Sequence, residues 1–477
     1  MSAATFYFYD LETWGADPKK DRIAQFAGVR TNQALEPVGT PQMAYCQLAP
    51  DYLPAPAAVL ITGITPQKCQ QQGLPEVEFI RQLHEQLAQP GTCVIGYNNV
   101  RFDDELVRHT LFRNYIDPYG REWQHGNSRW DLIDVVRACY ALRPEGIQWP
   151  LKEDGSPSFR LEELTKANGI SHQHAHDASS DVYATIALAA LIKQAQPRLF
   201  DYLWQHRQKQ ALSSLIDIAG LTPLVHVSSK FPAQQGCCSW VVPLAFHPTN
   251  KNAVICFNLQ QDPAILLDLT ATEAQRRLYA KSSELAPDEV RPALKLVHLN
   301  KCPVLAPAKT LSAERAAALG IDRGLCLRHL EVLRSAHQQI LSQINEIYRN
   351  EQPAPASANP DYSLYQGFLS EQDRRLLPQV HQLTPAQLAV QPPLFQDDRL
   401  NQLMFRFRAR NYPESLSHSE LTQWQRFCKD RLQFGTEQPA RTLDEFILEL
   451  EQCAETQQDN EKALLLLKQL FGYINSI

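Results

Sequence analysis

No Cys-x-x-Cys pair occurs among the eleven cysteines of the chain, and their number is odd. None stands at a spacing that zinc ligands use, and scattered single cysteines do not build a disulfide framework. Apart from the adjacent Cys237 and Cys238, they read as reduced, mostly buried thiols of a reducing cytoplasm. Long apolar runs are missing too. Nothing approaches the roughly 18 consecutive apolar residues of a membrane helix, so a soluble protein is expected. The opening Met1-Ser2-Ala3-Ala4-Thr5 has no basic stretch followed by an apolar one, and no secretory leader is expected. Positive charge is in deficit: 46 Lys and Arg against 52 Asp and Glu give a formal net charge of −6. The total therefore offers no electrostatic case for a nucleic-acid partner, which would have to be met by a local basic groove. No internal repeat is present.

At 477 residues the chain exceeds what one hydrophobic core normally serves, so two or three domains are expected. The first, over residues 1–196, reads as α/β. Phe6, Tyr7, Phe8 and Tyr9 place aromatic side chains on both alternations of a strand over 4–12, the pattern of a central strand covered on both faces. Further strands are predicted at 24–30, 43–48 and 93–96, with helices at 76–88, 104–114, 131–142, 160–168 and 178–194. Strands first and alternation afterwards point to a mixed sheet. Residues 197–350 carry short β runs at 224–227, 240–242, 253–257 and 294–298, as in a small barrel, followed by helical patterning over 311–348. Residues 351–360 hold three prolines and read as a linker, and 361–477 read as all-helical.

Three separated acidic motifs carry the chemistry. In Asp10-Leu11-Glu12 the two carboxylates fall on one face of a strand, and like charges that close call for a cation between them. Asn98–Asp103 follows the strand at 93–96 and delivers Asp103 where a strand ends and a helix begins. Its neighbour Asp104 reads as a helix-start residue that caps or is solvated. In His176–Asp181, Asp177 reads as an N-cap, which leaves His176 in the preceding loop and Asp181 in the early turns of the helix, so both can converge on one site. Four carboxylates, Asp10, Glu12, Asp103 and Asp181, suit two hard Mg²⁺ ions about 4 Å apart, the arrangement that clamps attacking and leaving oxygens in phosphodiester hydrolysis. His176 is the candidate general base, with His172 and His174 as competitors. Asp131 and Asp134 read as helix-start and surface residues rather than metal ligands.

This set resembles the DEDD exonuclease superfamily with its ribonuclease H-like fold. The histidine five residues before the last Asp is similar to its histidine subtype, since the tyrosine subtype would need Tyr at position 177, which is Asp. Longer stretches resemble the bacterial exonuclease I family: Leu60–Gln67, Gly96–Glu105, Asn127–Asp131, Arg137–Ile147, Lys295–His298 and Asn300–Leu305. The likeness runs over nearly the whole chain and thins after 350.

The resemblance implies an exonuclease domain, an SH3-like β-barrel middle domain and a helical C-terminal domain, closing around a groove; a monomer is the default expectation, since a clamp formed by three domains needs no partner chain. It also implies Mg²⁺-dependent, processive 3′→5′ degradation of single-stranded DNA to 5′-mononucleotides in DNA repair and recombination, with Mn²⁺ as a substitute ion. The partner it implies is the acidic C-terminal tail of single-stranded DNA-binding protein, received near Arg143 and Tyr202. This chain has Thr222 where the family pocket has a basic residue.

Single strands are gripped by aromatic platforms interleaved with cations. The segment from Arg108 to Arg137, with Tyr119 and Trp123 between them, has that mixture, and Phe159-Arg160 adds a pair. The resemblance puts Arg108, Tyr119, Trp123, Phe159 and Arg160 on the substrate, with Tyr279, Asn300 and Lys301 as further candidates. The same residues read otherwise as core and solvated face. The rival activities are RNA-directed exonucleases such as ribonuclease T and oligoribonuclease, which are short and leave 200–477 unexplained. A binding protein that lost catalysis is the rival of another class, and retention of all four carboxylates argues against it.

Overall fold

The strand Thr5–Thr13 (β1) is built on alternation. Tyr7, Tyr9 and Leu11 enter a core with Phe26, Val94 and residues of the helices Glu76–Leu87 and Asp103–Arg113, among them Phe79, Leu83, Leu106 and Leu111. Phe6 and Phe8 are buried on the opposite face, so the strand is covered on both sides as its aromatic run predicts. β1 pairs antiparallel with Ile23–Thr31 (β2), which pairs antiparallel with Gln42–Tyr45 (β3); on its other side it runs parallel to Thr92–Gly96 (β4). The sheet order is β3-β2-β1-β4, continuing into Ser128–Asp131 (β5), the mixed sheet expected.

The structure is a computed structural model describing residues 4–171, 178–349 and 357–474. Contacts divide it into two units: residues 1–128, 172–186 and 355–477, and residues 129–171 and 187–354. Two short helices, Pro56–Thr62 and Pro66–Gln72, and the strand β5 have no counterpart in the sequence reading. Each helix opens on a proline at its first position, which reads locally as a turn although proline is well suited there. Ser-Arg-Trp-Asp shows no alternation because all four residues of β5 are buried.

The second unit is organised on five antiparallel strands, Leu224–Val227 (β6), Cys238–Phe246 (β7), Ala253–Asn258 (β8), Leu294–His298 (β9) and Val304–Pro307 (β10), in the order β10-β6-β7-β8-β9. β7 is longer than predicted and bulges between Pro243 and Ala245, the defect expected where proline removes a ladder donor. Leu224, Val241, Val254, Val297 and Leu305 make its core. The eleven cysteines are all unpaired, and eight of them are buried. No helix among the described residues is long and apolar enough to cross a membrane.

Of the expected linker, 351–356 lie outside the described residues, while Asn359 and Pro360 are buried and open the short helical turn Pro360–Tyr362. The reason is charge. Asp361 accepts two bonds from Arg410, at 2.6 and 2.8 Å, and one from Arg406 at 2.9 Å. Arg410 also pairs with Asp51 at 2.8 Å, and Arg22 joins Asp51 to Glu76, which accepts from Arg113 and Asn114. Within the first unit this buried cluster ties the C-terminal helices Asp398–Asn411 and His418–Phe434, the latter through Arg431, to the N-terminal sheet domain. Burial would raise the Asp51 carboxyl, but Arg410, Arg22 and Arg431 outweigh it and hold it at about 2. Asp361 is likewise held well below the usual range, against its burial, by Arg410, Arg406 and Arg22.

Asp361→Asn is expected to lower the unfolding free energy by about 3–5 kcal/mol at pH 7, because it leaves buried guanidinium groups uncompensated. A carboxylate whose folded pKa is depressed contributes stability that is complete above its unfolded value and fades as pH falls through its folded value. The gap between wild type and variant in urea unfolding should therefore narrow below about pH 4. A gap that stays constant from pH 7 downward would show that the cluster is not stabilised by ionisation.

Candidate active site

On the face of β1 that buries Phe6 and Phe8, the next two side chains are Asp10 and Glu12. The last pair of the parallel register is Phe8 with Ile95, and β4 ends at Gly96, so both carboxylates stand past the end of the neighbouring strand. That is where open α/β sheets place ligands. Asp181 comes to the same point from the first turn of the helix Ala178–Ala195. Carboxylate oxygens of Asp10, Glu12 and Asp181 all lie within 4.8 Å of one another. Glu12 is buried and the other two are half-buried. Three anionic oxygens gathered this tightly repel one another unless a cation lies among them, and a set made only of carboxylates fits a hard divalent ion.

The chain leaves β4 through a turn that needs glycine: a Cβ on Gly96 would stand 2.7 Å from that of Asn99 and 3.0 Å from the Tyr9 carbonyl. Asn98 then takes a left-handed conformation (φ 68°), a 3₁₀ turn spans Asn99–Arg101, and Asp103 opens its helix. Asp103 is buried and does not join the trio of carboxylates. Burial first, then the Asp104 and Asp103 charges, push the Tyr9 hydroxyl well above its usual value.

Asp104 departs from its expected role as a solvated cap. It is fully buried, accepts from the Tyr9 hydroxyl at 2.9 Å and pairs with the equally buried Arg121 at 3.0 Å. The sequence showed a helix-start acid but not the buried arginine seventeen residues on that takes it inward. Asp131 does cap its helix, accepting from the Ile133 amide. Asp134 is buried and paired with Arg137 at 2.7 Å rather than lying on the surface. His176, with its competitors His172 and His174 and the cap candidate Asp177, lies outside the described residues.

The candidates for gripping a strand divide in two. Trp123 is 65% exposed and borders a pocket of about 170 Å³ with Tyr119 and Phe368, the last 88% exposed. Phe368 was missed because the region after 361 was read for helical spacing alone; the aromatic pair Tyr365 and Phe368 around Gly367 was the available signal. Arg108 faces inward: it binds Glu122 through two nitrogens at 2.7 Å and Glu105 at 2.7 Å, beneath the Tyr119 ring. In the second unit Arg160 is exposed and pairs loosely with Glu163 at 3.7 Å. Phe159 is held by the Tyr140 ring and by Arg137, which is itself half-buried and paired with Asp134. Tyr279, Asn300 and Lys301 are exposed. Arg143 and Tyr202 line one pocket of about 380 Å³, which Thr222, bonded to Asp217 at 2.6 Å, does not border.

A mixed sheet of this order, with carboxylates gathered at the open end of its central strand, makes the first domain a ribonuclease H-like exonuclease domain. The Exonuclease family model matches residues 7–189, the Exonuclease I SH3-like domain 207–350 and the Exonuclease I C-terminal domain 358–477. The chain belongs to the exonuclease I family and is an exonuclease. Exodeoxyribonuclease I of Escherichia coli strain K12 is 48% identical over 474 residues, covering 99% of this chain and 98% of the relative. Escherichia coli exonuclease I in complex with a dA16 oligonucleotide is similar with a TM-score of 0.95 and 47% identity, over 99% of both chains. A zinc-ion-bound form of the E. coli enzyme with single-stranded DNA follows at 0.93 and 47%, over 99% of both. A structure of SSB/exonuclease I with the inhibitor CFAM stands at 0.91 and 46%, over 100% of both.

The two neighbouring acids should separate in experiment. Asp104→Asn is expected to lower the unfolding free energy by about 3–5 kcal/mol, since it strands Arg121, whereas Asp103→Asn should leave the melting temperature within a few degrees of wild type. Thermal unfolding of both purified variants checks this, and equal losses would remove the distinction.

Proposed function

We propose that this chain is a divalent-metal-dependent 3′→5′ exodeoxyribonuclease that releases 5′-mononucleotides processively from single-stranded DNA. The observation that carries the reading is the set of Asp10, Glu12 and Asp181 oxygens within 4.8 Å of one another at the end of β1. The oligonucleotide complexes of the E. coli relative support the substrate. Asp10, Glu12 and Asp181 would hold one ion, and Asp10 with Asp103 a second, Mg²⁺ being the expected species and Mn²⁺ a substitute. Ions bound there would lower the pKa of water and stabilise charge on the attacking and departing oxygens.

The remaining work falls to the chain's own groups. His176 takes the proton of the attacking water at its imidazole, acting as general base. Trp123, Tyr119 and Phe159 stack on bases, and Arg160 meets backbone phosphates; Tyr279, Asn300 and Lys301 extend the contact. Arg108 and Arg137 serve by holding Tyr119 and Phe159 in place, as their inward pairs suggest. The domains span 1–196, 197–350 and 361–477, and the enzyme acts as a monomer in the cytoplasm, in DNA repair. Arg143 and Tyr202 belong to the pocket that receives the acidic C-terminal tail of single-stranded DNA-binding protein, a partner supported by the SSB complex of the relative.

Digestion of 5′-labelled single-stranded DNA, duplex DNA and single-stranded RNA, with Mg²⁺ and with EDTA, tests the reading. Mg²⁺-dependent shortening of the single-stranded DNA alone, from its unlabelled end, is expected; preferred attack on RNA would move the chain to the ribonuclease side of the superfamily. Asp181→Ala and Glu12→Ala should abolish cleavage while leaving strand binding measurable by fluorescence anisotropy. Normal turnover in either sinks the ligand assignment. His176→Ala should lose on the order of 10²-fold or more in rate, with partial recovery at high pH. A fully active His176→Ala enzyme would reassign the base.

A further inference from the structure

The helix that begins at Asp103 is fastened twice within its first turn, on neighbouring faces. Asp104 turns inward, where it accepts from the Tyr9 hydroxyl at 2.9 Å and pairs with Arg121 at 3.0 Å. Glu105 accepts from Arg108 at 2.7 Å and from the hydroxyl of Tyr365, a residue 260 positions later in the chain. That hydroxyl in turn accepts from Arg108 at 3.2 Å, and the two remaining guanidinium nitrogens of Arg108 hold Glu122 at 2.7 Å each. Successive helix residues are turned by about 100°, so one fastening would let the first turn rock about its axis, whereas two on neighbouring faces stop it. Asp103 is the next residue round, and its direction follows from the other two.

Tyr365 itself stands on a stiff mount. Leu364 is buried in one cluster with Phe112 of the same helix. Arg399 donates to the Ser363 carbonyl on one side of Tyr365 and to the Gly367 carbonyl, at 3.0 Å, on the other. Asp397 holds Arg399 through two bonds, at 2.9 and 2.6 Å. The Tyr365 ring packs edge-on against His109, with centroids 5.8 Å apart. Just past Gly367 the same segment presents the exposed Phe368, its ring 6.1 Å from that of Tyr119, which lies over Arg108 at 5.7 Å. The exposed rings and the first turn of the Asp103 helix therefore share two supports, Arg108 and the segment 363–368.

We propose that Tyr365 is a positioning residue for the cleavage reaction: its hydroxyl, held between Glu105 and Arg108, fixes the helix turn that presents Asp103. The role rests on the ligand assignment of Asp103 made above. Tyr365 acts through Glu105, while Phe368 on the same segment serves the strand, so one piece of the C-terminal region performs two separable tasks. A displacement of about 1 Å at a reacting group can cost on the order of 10²-fold in rate, so a looser turn is visible in turnover.

The test uses the full-length protein and a single-stranded oligonucleotide. Tyr365→Phe keeps the ring on His109 and removes only the hydroxyl. It is expected to lower kcat on the order of tenfold, with strand affinity, read by fluorescence anisotropy in EDTA, within about twofold of wild type. Its melting temperature should stay within about two degrees of wild type. Mn²⁺ titration, followed by the electron paramagnetic resonance signal of the free ion, should show one ion bound severalfold more weakly. Phe368→Ala should give the opposite split, with weaker strand affinity and unchanged Mn²⁺ binding. Glu105→Ala should slow the enzyme as Tyr365→Phe does, and the double variant should be no slower than the slower of the two, because both act through one connection. Wild-type kcat or unchanged Mn²⁺ binding in Tyr365→Phe overturns the proposal, as does a double variant in which the two losses multiply. Strand affinity or melting temperature that falls along with kcat in Tyr365→Phe makes the residue merely structural and overturns it too. Failure of wild type to cleave with Mg²⁺ overturns the proposed function itself, and this role with it.

Discussion

Everything at this site depends on holding like charges together. Three carboxylates whose oxygens lie within 4.8 Å would drift apart on a pliant backbone, and a metal would then have to organise them as well as bind them. The protein avoids this by hanging two of them on a strand held along both edges. β1 is paired on both edges, buried on both faces, and lined with aromatic side chains up to the residue before Asp10. The third comes from a helix start. The pre-arranged anion cluster is therefore a property of the sheet, and the aromatic run ahead of Asp10 supports the site although all of it is buried.

The same logic explains how a chain with net charge −6 can serve a polyanion. Much of its arginine is internal. Arg22, Arg113, Arg406, Arg410 and Arg431 neutralise buried acids in the first unit, and Arg108 and Arg137 are paired with neighbouring carboxylates. Other cations face solvent, among them Arg160 and Lys301. Exposed rings such as Trp123 and Phe368 offer surface for stacking, which does not depend on net charge.

What could be read from the sequence followed from periodicity. The aromatic alternation of Phe6 to Tyr9 announced a doubly covered strand, and the two-residue step from Asp10 to Glu12 announced a shared face. Positions whose meaning depends on a distant partner were not legible. Asp104 looked like a cap until Arg121 arrived beside it; Asp134 looked superficial until Arg137 paired with it. Asn359 and Pro360 looked like linker because three nearby prolines say nothing of an Arg406 and an Arg410 that bury Asp361. Helices opening on proline and strands without alternation were missed for a local reason, since their residues match turn and core statistics equally well.

The cluster around Asp51 also sets a timetable for synthesis. Its hydrogen bonds with Arg410 join residues 359 positions apart. A ribosome adding about 5–20 residues per second needs roughly 20–70 s to go from one to the other. Throughout that interval the sheet domain has emerged without Arg410 and Arg431, two of the three guanidinium groups that hold Asp51 ionised, and without the C-terminal side chains that pack on Trp14 and Val59. The exonuclease domain is thus first in the chain and among the last parts to be completed, which ties the appearance of a finished nuclease to translation of nearly the whole message.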